Sequence, residues 1–142
     1  MNLIENQLIG IIPNKICNQG DNFPTLKNNQ LCPPYPVCIE ANIGSQETSN
    51  CSIELWRNLY PVEQTTELNL FRSELTVIIP SEIGELINLT GINLSDNHLN
   101  SPILSEIGNL VSLKSLPIYN NQISGEIPSE IGNFINLIIL QE

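Results

Sequence analysis

Catalytic chemistry in this sequence would depend on His98, because the chain contains no other histidine. A histidine works as a general base when a serine or cysteine nucleophile lies beside it. No serine or cysteine is spaced to indicate such a partner, and His98 falls on a predicted exposed turn. We therefore interpret His98 as a surface residue and predict no catalytic residues.

Three glutamates, Glu82, Glu106 and Glu130, recur inside Ser-Glu-Ile-Gly segments and could form a cation site. A serine followed by an acid at the start of a short helical turn is explained more simply by capping and by the interaction of the acid with the helix dipole. We predict capping. The sequence contains no phosphate-binding loop or metal-ligand cluster, so we expect neither a metal nor another cofactor.

The cysteines indicate disulfide chemistry. All of them fall in one segment that includes a Pro-rich run, at Cys17, Cys32, Cys38 and Cys51. An even number of cysteines in a loop-like segment predicts a disulfide framework and an oxidising compartment. A zinc site is the alternative, but these cysteines are too widely spaced to form the close C-x-x-C pairs typical of such sites. The residues alone allow more than one connectivity.

The charge of the chain limits its partners. Five basic against fifteen acidic residues give a net charge of −10, which opposes binding to nucleic acid and to anionic membranes. We expect no nucleic-acid partner, whereas a cationic partner is possible. No apolar run approaches the length that crosses a bilayer, so no membrane span is expected.

An internal repeat provides the elements that must position any binding residue. Ser73, Asn97 and Asn121 recur at one fixed 24-residue spacing, and an earlier copy lies around Asn6. Fixed-period similarity of this length predicts a stacked array, in which each unit buries its apolar face against its neighbours. Because an Asn side chain both donates and accepts hydrogen bonds, the stacked Asn97 and Asn121 are predicted to form a buried polar ladder.

Apolar residues recur at fixed positions of each copy. The first two columns alternate as in a strand with one buried face, which predicts parallel strands. Further columns follow, and all are predicted to point inward. The columns are Leu68/Ile92/Leu116/Leu140, Leu70/Leu94/Ile118, Leu75/Leu99/Ile123, Ile79/Ile103/Ile127, Ile83/Ile107/Ile131, Leu86/Leu110/Phe134 and Leu89/Leu113/Leu137.

Together the columns spell L-x-L-x-x-N-x-L-x-G-x-I-P-x-x-I-G-x-L-x-x-L, and the best copy is LPIYNNQISGEIPSEIGNFINL at residues 116–137. This pattern resembles the plant-type leucine-rich repeat over residues 68–142 and 1–16. The resemblance implies an α/β repeat solenoid, a right-handed coil with a parallel β-sheet on one face and short helical or polyproline-like turns on the other. Members of this family chiefly bind proteins, peptides or glycans.

Some residues depart from the pattern. Ser73 replaces the Asn and Val77 replaces the Gly in the first of these repeats, as expected for an atypical end unit. Ser101 replaces the Gly in the next copy. Pro117 lies at a strand position and lacks an N–H donor, so we predict weakened strand pairing or a bulge there.

The repeat phase is lost between residues 17 and 51, which we interpret as a non-repetitive insert. Residues 28–38, NNQLCPPYPVC, resemble the cysteine-containing C-terminal cap of extracellular leucine-rich-repeat arrays. The two cysteines of such a run are bonded to each other, so the resemblance implies Cys32 with Cys38 and leaves Cys17 with Cys51. A stapled loop of this kind covers the apolar end and the strand edge of a last repeat.

Residues 51–70, CSIELWRNLYPVEQTTELNL, resemble the segment that opens plant-type arrays, with Trp56 as an apolar lid. The chain begins and ends inside a repeat, so we interpret it as a fragment whose export signal is encoded upstream. The expected organisation is the last repeat of an upstream array (1–16), a C-terminal-cap-like segment (17–51), an N-terminal-cap-like opening (52–67) and three truncated 24-residue repeats (68–142).

Ligand contacts are expected on the solvent-facing strand positions, which vary between copies while the apolar columns do not. Adjacent strands lie about 4.8 Å apart, so residues one repeat apart should form rows, such as Phe71 with Ser95 and Tyr119. A row of Arg72, Asp96 and Asn120 should lie beside it. Aromatic rings flanked by hydrogen-bonding groups suit a protein or glycan surface; an ordinary polar face is the alternative. The predicted binding residues are Asn69, Phe71, Arg72, Asn93, Ser95, Asp96, Pro117, Tyr119 and Asn120.

Three hypotheses of function follow. The leading one is a non-catalytic recognition module, extracellular or at the cell surface, that binds a protein, peptide or glycan. The second is a self-associating adhesive or structural surface protein, since open array ends leave unpaired strand edges. The third is a hydrolase or other enzyme, for which the sequence offers no residues beyond His98 and exposed acids. Sequons at Asn50, Asn88 and Asn93 are usable in a host that glycosylates.

Overall fold

The computed structural model describes residues 1–20 and 24–134, which divide into two compact units, Met1–Cys51 and Ser52–Glu142. Short strands and 3₁₀ helices make up both units. The strands are β1 Ile9–Ile11, β2 Gln30–Cys32, β3 Ser52–Leu55, β4 Asn58–Pro61, β5 Glu67–Asn69, β6 Thr76–Val77, β7 Gly91–Asn93 and β8 His98–Leu99. The 3₁₀ helices are Asn14–Gln19, Glu40–Asn42, Ser81–Glu85, Ser105–Asn109 and Ser129–Asn133.

The second unit consists of stacked coils, each formed by one repeat, whose strands run parallel. β5 pairs with β7 so that Leu68 lies beside Ile92, its counterpart in the next repeat. A bridge between Gly91 and Ser115 extends the pairing to the third coil. The predicted repeat solenoid with a parallel sheet is confirmed. We call the solvent-facing side of β5, β7 and the residues that continue them in the third coil the sheet face.

A second parallel pair forms between the first and second coils, further along the chain in each. It joins β6 to β8 and brings Thr76 beside His98. The sequence pattern does not predict this pair. Each coil then passes through a short 3₁₀ helix at its Ser-Glu-Ile-Gly segment, which confirms the short helical turns that the resemblance implies.

The apolar columns fill the space between the coils. Burial is most complete in the middle coil, because most of its column residues are covered by the coils on either side; Ile103 is only half-buried. Its fully covered side chains are Ile92, Leu94, Leu99, Ile107, Leu110 and Leu113. Each contributes roughly 1.5–3 kcal/mol when removed from water. Ile127 of the third coil is exposed, contrary to its column, and the predicted inward positions of Leu137 and Leu140 lie outside the described residues.

Two glycines allow the coils to stack closely. A Cβ atom on Gly84 would lie 2.5 Å from the carbonyl oxygen of Glu106 in the next coil, and one on Gly108 would lie 2.8 Å from the carbonyl oxygen of Glu130. These carbonyl oxygens belong to the backbone, and the Glu130 Cβ lies closer still to the Gly108 position. A Cβ on Gly132, the equivalent residue of the third coil, would meet nothing within 4 Å.

We expect Gly84→Ala to lower the free energy of unfolding by about 1–3 kcal/mol, because the added methyl group forces two packed coils apart. Gly132→Ala is the matched control, since it occupies the same position of the same tetrapeptide with open space around it. Alanine is favoured over glycine in a helix, so this variant should be neutral or slightly stabilised. Urea unfolding followed by circular dichroism measures both variants; equal losses would contradict the close approach at Gly84.

The hairpin β3–β4 precedes the first coil of the second unit. Its antiparallel strands are joined by Trp56 and Arg57, whose positive φ angles of 46° and 68° match the twist of a tight two-residue turn. Ile53 and Leu55 of the hairpin are buried. The indole Nε1 of Trp56 donates a hydrogen bond to the Ile78 carbonyl at 3.2 Å. Trp56, the residue expected to act as an apolar lid, thus satisfies the carbonyl of the residue that follows β6.

Val77 is strained where the repeat pattern has glycine. Its φ angle is 74°, in the left-handed region that is an outlier for a β-branched residue. Gly125, at the same position of the third coil, has a φ of 101° without this cost. The first repeat thus keeps the left-handed backbone conformation of the pattern, although Val77 stands where the pattern has glycine.

The serines of the Ser-Glu-Ile-Gly segments do not cap their helices, so the capping prediction is wrong in this respect. The N-cap residues are Pro80, Leu104 and Pro128, and no side chain makes a capping hydrogen bond. Each helix begins at the serine itself. The serine is therefore the first helical residue, one position after the N-cap from which a side chain could cap the helix. The Ser81 hydroxyl instead donates to the Glu82 carboxylate at 3.3 Å. The acid does occupy the first turn, as the dipole part of the prediction requires.

Pro117 limits strand pairing as predicted. Its carbonyl still accepts a hydrogen bond from the Leu94 amide at 2.9 Å, but proline has no N–H to donate in return. In the described residues the third coil joins the sheet through one isolated bridge at Ser115, rather than through a strand.

The first unit also stacks coils. β1 pairs in parallel with β2. The buried Asn29 amide donates to the Leu3 and Leu26 carbonyls at 2.8 and 2.7 Å and accepts from the Leu8 amide at 3.1 Å. A bridge pairs Asn2 with Thr25, so residues 26–29 lie beside residues 3–6, and β1 and β2 then pair Ile9 with Gln30. The two segments are also alike in sequence, LIENQL at 3–8 and LKNNQL at 26–31. The interpretation of residues 17–51 as non-repetitive is therefore wrong.

A third coil of the first unit uses Gln46 in place of the ladder asparagine. Its Nε2 donates to the Leu26 and Ile43 carbonyls at 2.9 Å each, and its Oε1 accepts from the Leu31 amide at 3.2 Å. A bridge pairs Gln46 with Asn29, so this coil is shorter than the repeats of the second unit. The shorter coil and the Gln substitution explain why the 24-residue pattern does not reveal it.

Two disulfides join the coils of the first unit. The bonds are Cys17–Cys38 and Cys32–Cys51, with Cα separations of 5.7 and 5.4 Å. The pairing implied by the resemblance, Cys32 with Cys38, is wrong. Residues 21 and 19 positions apart lie about one coil apart and are stacked, whereas the chain leaves Cys32 at the end of β2 and turns away before Cys38. The two bonds fit a cap, and the oxidising assignment agrees with them.

Candidate functional site

Asn97 anchors the turn that follows the sheet face. Its buried side-chain oxygen accepts two backbone hydrogen bonds, and the two hydrogens of its Nδ2 are shared among three backbone carbonyl oxygens, at distances of 2.8–3.1 Å. The partners are Ser73, Leu75, Leu70, Leu94 and Ser95. The half-buried Asn121 repeats the arrangement one coil later. The predicted asparagine ladder is present, and it fixes the backbone from which the neighbouring side chains project.

The residue before each ladder position adopts a left-handed conformation. Arg72, Asp96 and Asn120 have φ angles of 52°, 55° and 52°. Asn and Asp enter this region more readily than other residues with a Cβ. The shared backbone shape gives the three side chains the same direction in successive coils.

These three side chains form a hydrogen-bonded row, which we call the Arg72 row. Arg72 Nε donates to Asp96 Oδ2 at 2.8 Å, and Asn120 Nδ2 donates to Asp96 Oδ1 at 2.7 Å. The exposed fraction of the side chain is 72% for Arg72 and 18% for Asp96. Asp96 thus links three coils, while the guanidinium presents most of its surface to solvent.

The electrostatics of the Arg72 row favour a fixed, ionised arrangement. Hydrogen bonds from Asn120, the larger cause, and from Arg72 lower the pKa of the Asp96 carboxyl. The carboxylate therefore stays ionised to a lower pH than an ordinary aspartate does. The Arg72 guanidinium also lies 4.9 Å from the centroid of the Phe71 ring, within the range of a cation–π interaction. Arg72 is therefore oriented both by a carboxylate and by an aromatic ring.

Ser95 does not face solvent, so its predicted position is wrong. Its exposed fraction is 0%, whereas Phe71 and Tyr119, its neighbours in the same row, are 39% and 40% exposed. Ser95 is the smallest residue of this row and lies on the middle strand, between the two strands that carry the aromatic residues. The Ser95 hydroxyl oxygen is buried and has no hydrogen-bond partner, which is uncommon in folded proteins.

A shallow cleft of about 320 Å³ opens on the sheet face beside these residues. Three predicted binding residues line it, but the sequence analysis missed the row before them, Glu67, Gly91 and Ser115. That row has a signal in the sequence, since it precedes the predicted positions by two places and shares their 24-residue spacing. The cleft is lined by Glu67, Leu68, Asn69, Gly91, Ile92, Asn93, Ser115 and Pro117.

The first unit has its own polar depression of about 400 Å³. Its lining includes the ladder side chains Asn29 and Gln46, whose amides are already engaged within the coils. It was not predicted, because the coils that form it were not recognised. The lining residues are Asn6, Asn28, Asn29, Gln30, Ser45, Gln46 and Glu47.

Other candidates stay dispersed. His98 is exposed on β8. Across residues 1–20 and 24–134, no three or more His, Cys, Asp and Glu side chains come together as metal ligands would. Within those same ranges no helix has the length and apolarity to cross a membrane. Of the sequon asparagines, Asn50 and Asn88 are exposed and Asn93 is half-buried.

Comparison with known proteins agrees with this geometry. The family model Leucine Rich Repeat matches residues 88–110 and 112–134. No curated protein matches the chain. The predicted leucine-rich repeats are thereby confirmed for residues 88–134.

Two solved structures illustrate the likeness. The LRR ectodomain of the plant membrane receptor kinase GASSHO1/SCHENGEN3 from Arabidopsis thaliana, in complex with CASPARIAN STRIP INTEGRITY FACTOR 2, aligns with 96% of this chain at 28% identity and a TM-score of 0.51. The PEPR1-AtPEP1 structure aligns with 99% of this chain at 25% identity and a TM-score of 0.53. The chain spans 14% and 21% of the lengths of these two proteins.

Proposed function

We propose that the chain is a non-catalytic recognition module that binds a protein or peptide through its sheet face, outside the cell or at its surface. The Arg72 row carries this proposal. It joins three coils through Asp96 and holds a largely exposed guanidinium beside Phe71. Side chains that are already ordered lose little conformational entropy when a partner binds, so this arrangement favours recognition.

The similar structures support the same role. One is a receptor-kinase ectodomain in complex with CASPARIAN STRIP INTEGRITY FACTOR 2, and another pairs PEPR1 with AtPEP1. The two disulfides of the first unit support an oxidising, extracellular setting. An open repeat sheet also offers an extended surface rather than an enclosed reaction chamber, which supports binding over catalysis.

Substitutions on the sheet face should weaken capture without unfolding the chain. We expect Arg72→Ala and Tyr119→Ala each to reduce affinity by about tenfold or more, because exposed Arg and Tyr side chains are common anchors of interfaces. The probe is a set of linear heptapeptides selected on the wild-type chain by phage display. Surface plasmon resonance measures affinity, and circular dichroism measures the melting temperature.

Glu126→Ala, an exposed residue beyond the ladder in the third coil, is the matched control and should bind as the wild type does. If all three variants bind equally well, the sheet face is not the binding surface. Unfolding of the Arg72 and Tyr119 variants would also count against the proposal, since it would assign these residues a structural role.

A further inference from the structure

At two positions the middle strand of the sheet face carries a smaller residue than its neighbours, whereas Asn93 is the same residue as its neighbour Asn69. Gly91 lies between Glu67 and Ser115, and Ser95 continues the strand between two aromatic residues. A groove therefore follows β7 along its length, with β5 as one wall and the third coil as the other. We call it the β7 groove. Its open part is the cleft, with Gly91 and Asn93 as the floor and Glu67, Asn69, Ser115 and Pro117 as the walls. The strand positions that follow add Ser95, with Phe71 and Tyr119 at the same position of the neighbouring coils.

The two ends of the β7 groove differ. At Gly91 and Asn93 it is open and forms the cleft of about 320 Å³, near the lower end of the roughly 300–1,000 Å³ typical of ligand pockets. At Ser95 it is covered. Beyond Ser95 the Arg72 row crosses all three coils and closes the groove. Gly91 and Ser95 are four strand positions apart, which corresponds to about 13 Å.

The open end carries a carboxylate. Glu67 Oε1 accepts a hydrogen bond from the Thr90 hydroxyl at 2.6 Å. A Cβ on Gly91 would collide with Glu67 Oε2, so the second carboxylate oxygen lies over the glycine, in the space where a side chain would otherwise stand. The chain as a whole carries a charge of −10. This end of the groove therefore complements a basic group.

The covered end carries an unused hydrogen-bonding group. The Ser95 hydroxyl is fully buried and unpartnered, and a buried polar group of this kind lowers stability until it finds a partner. Phe71 and Tyr119 beside it are partly exposed and lie on the surface. Displacement of either ring would give a ligand side chain access to the hydroxyl.

We propose that the β7 groove binds an extended basic peptide segment laid along β7. A Lys or Arg of the segment pairs with Glu67, and a polar side chain four positions away enters between Phe71 and Tyr119 and bonds to Ser95 Oγ. Side chains four positions apart in an extended chain point to the same side, which matches the separation of the two sites. This inference rests on the proposed function of the sheet face and adds to it the direction and the chemistry of the ligand.

The test uses the whole chain and the phage-selected heptapeptides, with a glycan array run in parallel. The selected peptides should carry Lys or Arg four positions from a polar residue. Ser95→Ala should lower their affinity about fivefold to tenfold, the range expected for one hydrogen bond, without lowering the melting temperature. Glu67→Gln should lower affinity for the basic peptides and reduce its dependence on salt concentration. Ser129→Ala, on an exposed outer turn, is the control and should change neither.

The possible results separate this inference from the proposed function. Peptides that lose affinity with Arg72→Ala but are unaffected by Glu67→Gln and Ser95→Ala would overturn the β7 groove and leave the sheet face as the binding surface. Peptides insensitive to all of these substitutions, or failure to select any peptide, would overturn both. Enrichment of glycans alone would overturn the peptide as occupant.

Discussion

Asn97→Ala is expected to lower the free energy of unfolding by on the order of 3–5 kcal/mol, because several buried backbone groups lose their partners at once. The oxygen of the Asn97 amide accepts from two backbone N–H groups, and the two hydrogens of its Nδ2 are shared among three backbone carbonyl oxygens. Alanine satisfies none of them, and the residue is buried between two coils. Urea unfolding measures the loss, and hydrogen exchange should show faster exchange of the Ser73 and Leu75 amides.

Ser73→Ala is the control for this prediction, since Ser73 occupies the same ladder position in the preceding coil. Its side chain is exposed and makes only a 3.5 Å contact with the Phe71 carbonyl. We expect a change within about 0.5 kcal/mol, as for most surface substitutions. A comparable loss in both variants would show that the ladder position itself, rather than the buried amide, determines stability.

The Asn97→Ala substitution should also disturb the proposed binding surface. Asp96 precedes Asn97 and holds the Arg72 row together from a left-handed backbone conformation. The side-chain amide of Asn97 fixes that conformation, because it is hydrogen-bonded to the backbone of its own coil and of the preceding coil. Weak peptide binding by folded Asn97→Ala would therefore reflect a disordered Arg72 row, and Arg72→Ala should then add little further loss.

The sequence predicts the coil of the second unit well, because each repeat places equivalent residues in equivalent surroundings. The 24-residue spacing determines the register of Leu68 with Ile92, and with it the order of the rows on the sheet face. The Arg72 row follows from the same spacing. Periodicity is thus sufficient where a residue's environment depends only on its position in the repeat.

Periodicity fails where the environment depends on the size of neighbouring side chains. Ser95 occupies a solvent-facing position of the pattern, yet it is buried beside Phe71 and Tyr119. No rule for one strand predicts this, since the large neighbouring residues lie one repeat away in either direction. Gly91 is informative for the same reason: its lack of a side chain creates the cleft only because Glu67 and Ser115 flank it.

The first unit shows how variation in coil length conceals a repeat. The step along the chain from Asn29 to Gln46 is shorter than the step from Asn6 to Asn29, so no single period fits both. The shared feature is the hydrogen bond from a side-chain amide to the carbonyl of an apolar residue three positions earlier, Leu26 for Asn29 and Ile43 for Gln46. A search for amides at this offset, without a fixed period, would find both coils.

Removal of a disulfide from the first unit is expected to cost about 2–5 kcal/mol, as for native disulfides of small secreted domains. The unit has a small core, so it depends on the bonds between its coils. In its described residues the buried apolar cluster is Ile12, Leu26, Leu31, Ile39 and Ile43. We expect the double variant Cys17→Ser/Cys38→Ser to release the first coil from the second and to speed amide exchange over residues 25–47, as measured by hydrogen exchange and mass spectrometry.

The second unit provides the internal control, since none of the four cysteines lies in residues 52–142. Its coils are held by buried leucines and by the Asn97 amide, which neither reduction nor the double variant touches. Exchange over residues 90–121 should therefore stay slow while residues 25–47 become fast. Val37→Ser, next to Cys38 and almost fully exposed, should leave both regions unchanged. Equal acceleration in the two units after loss of the disulfide would show that the bonds stabilise the whole chain rather than the stacking of the first unit's coils.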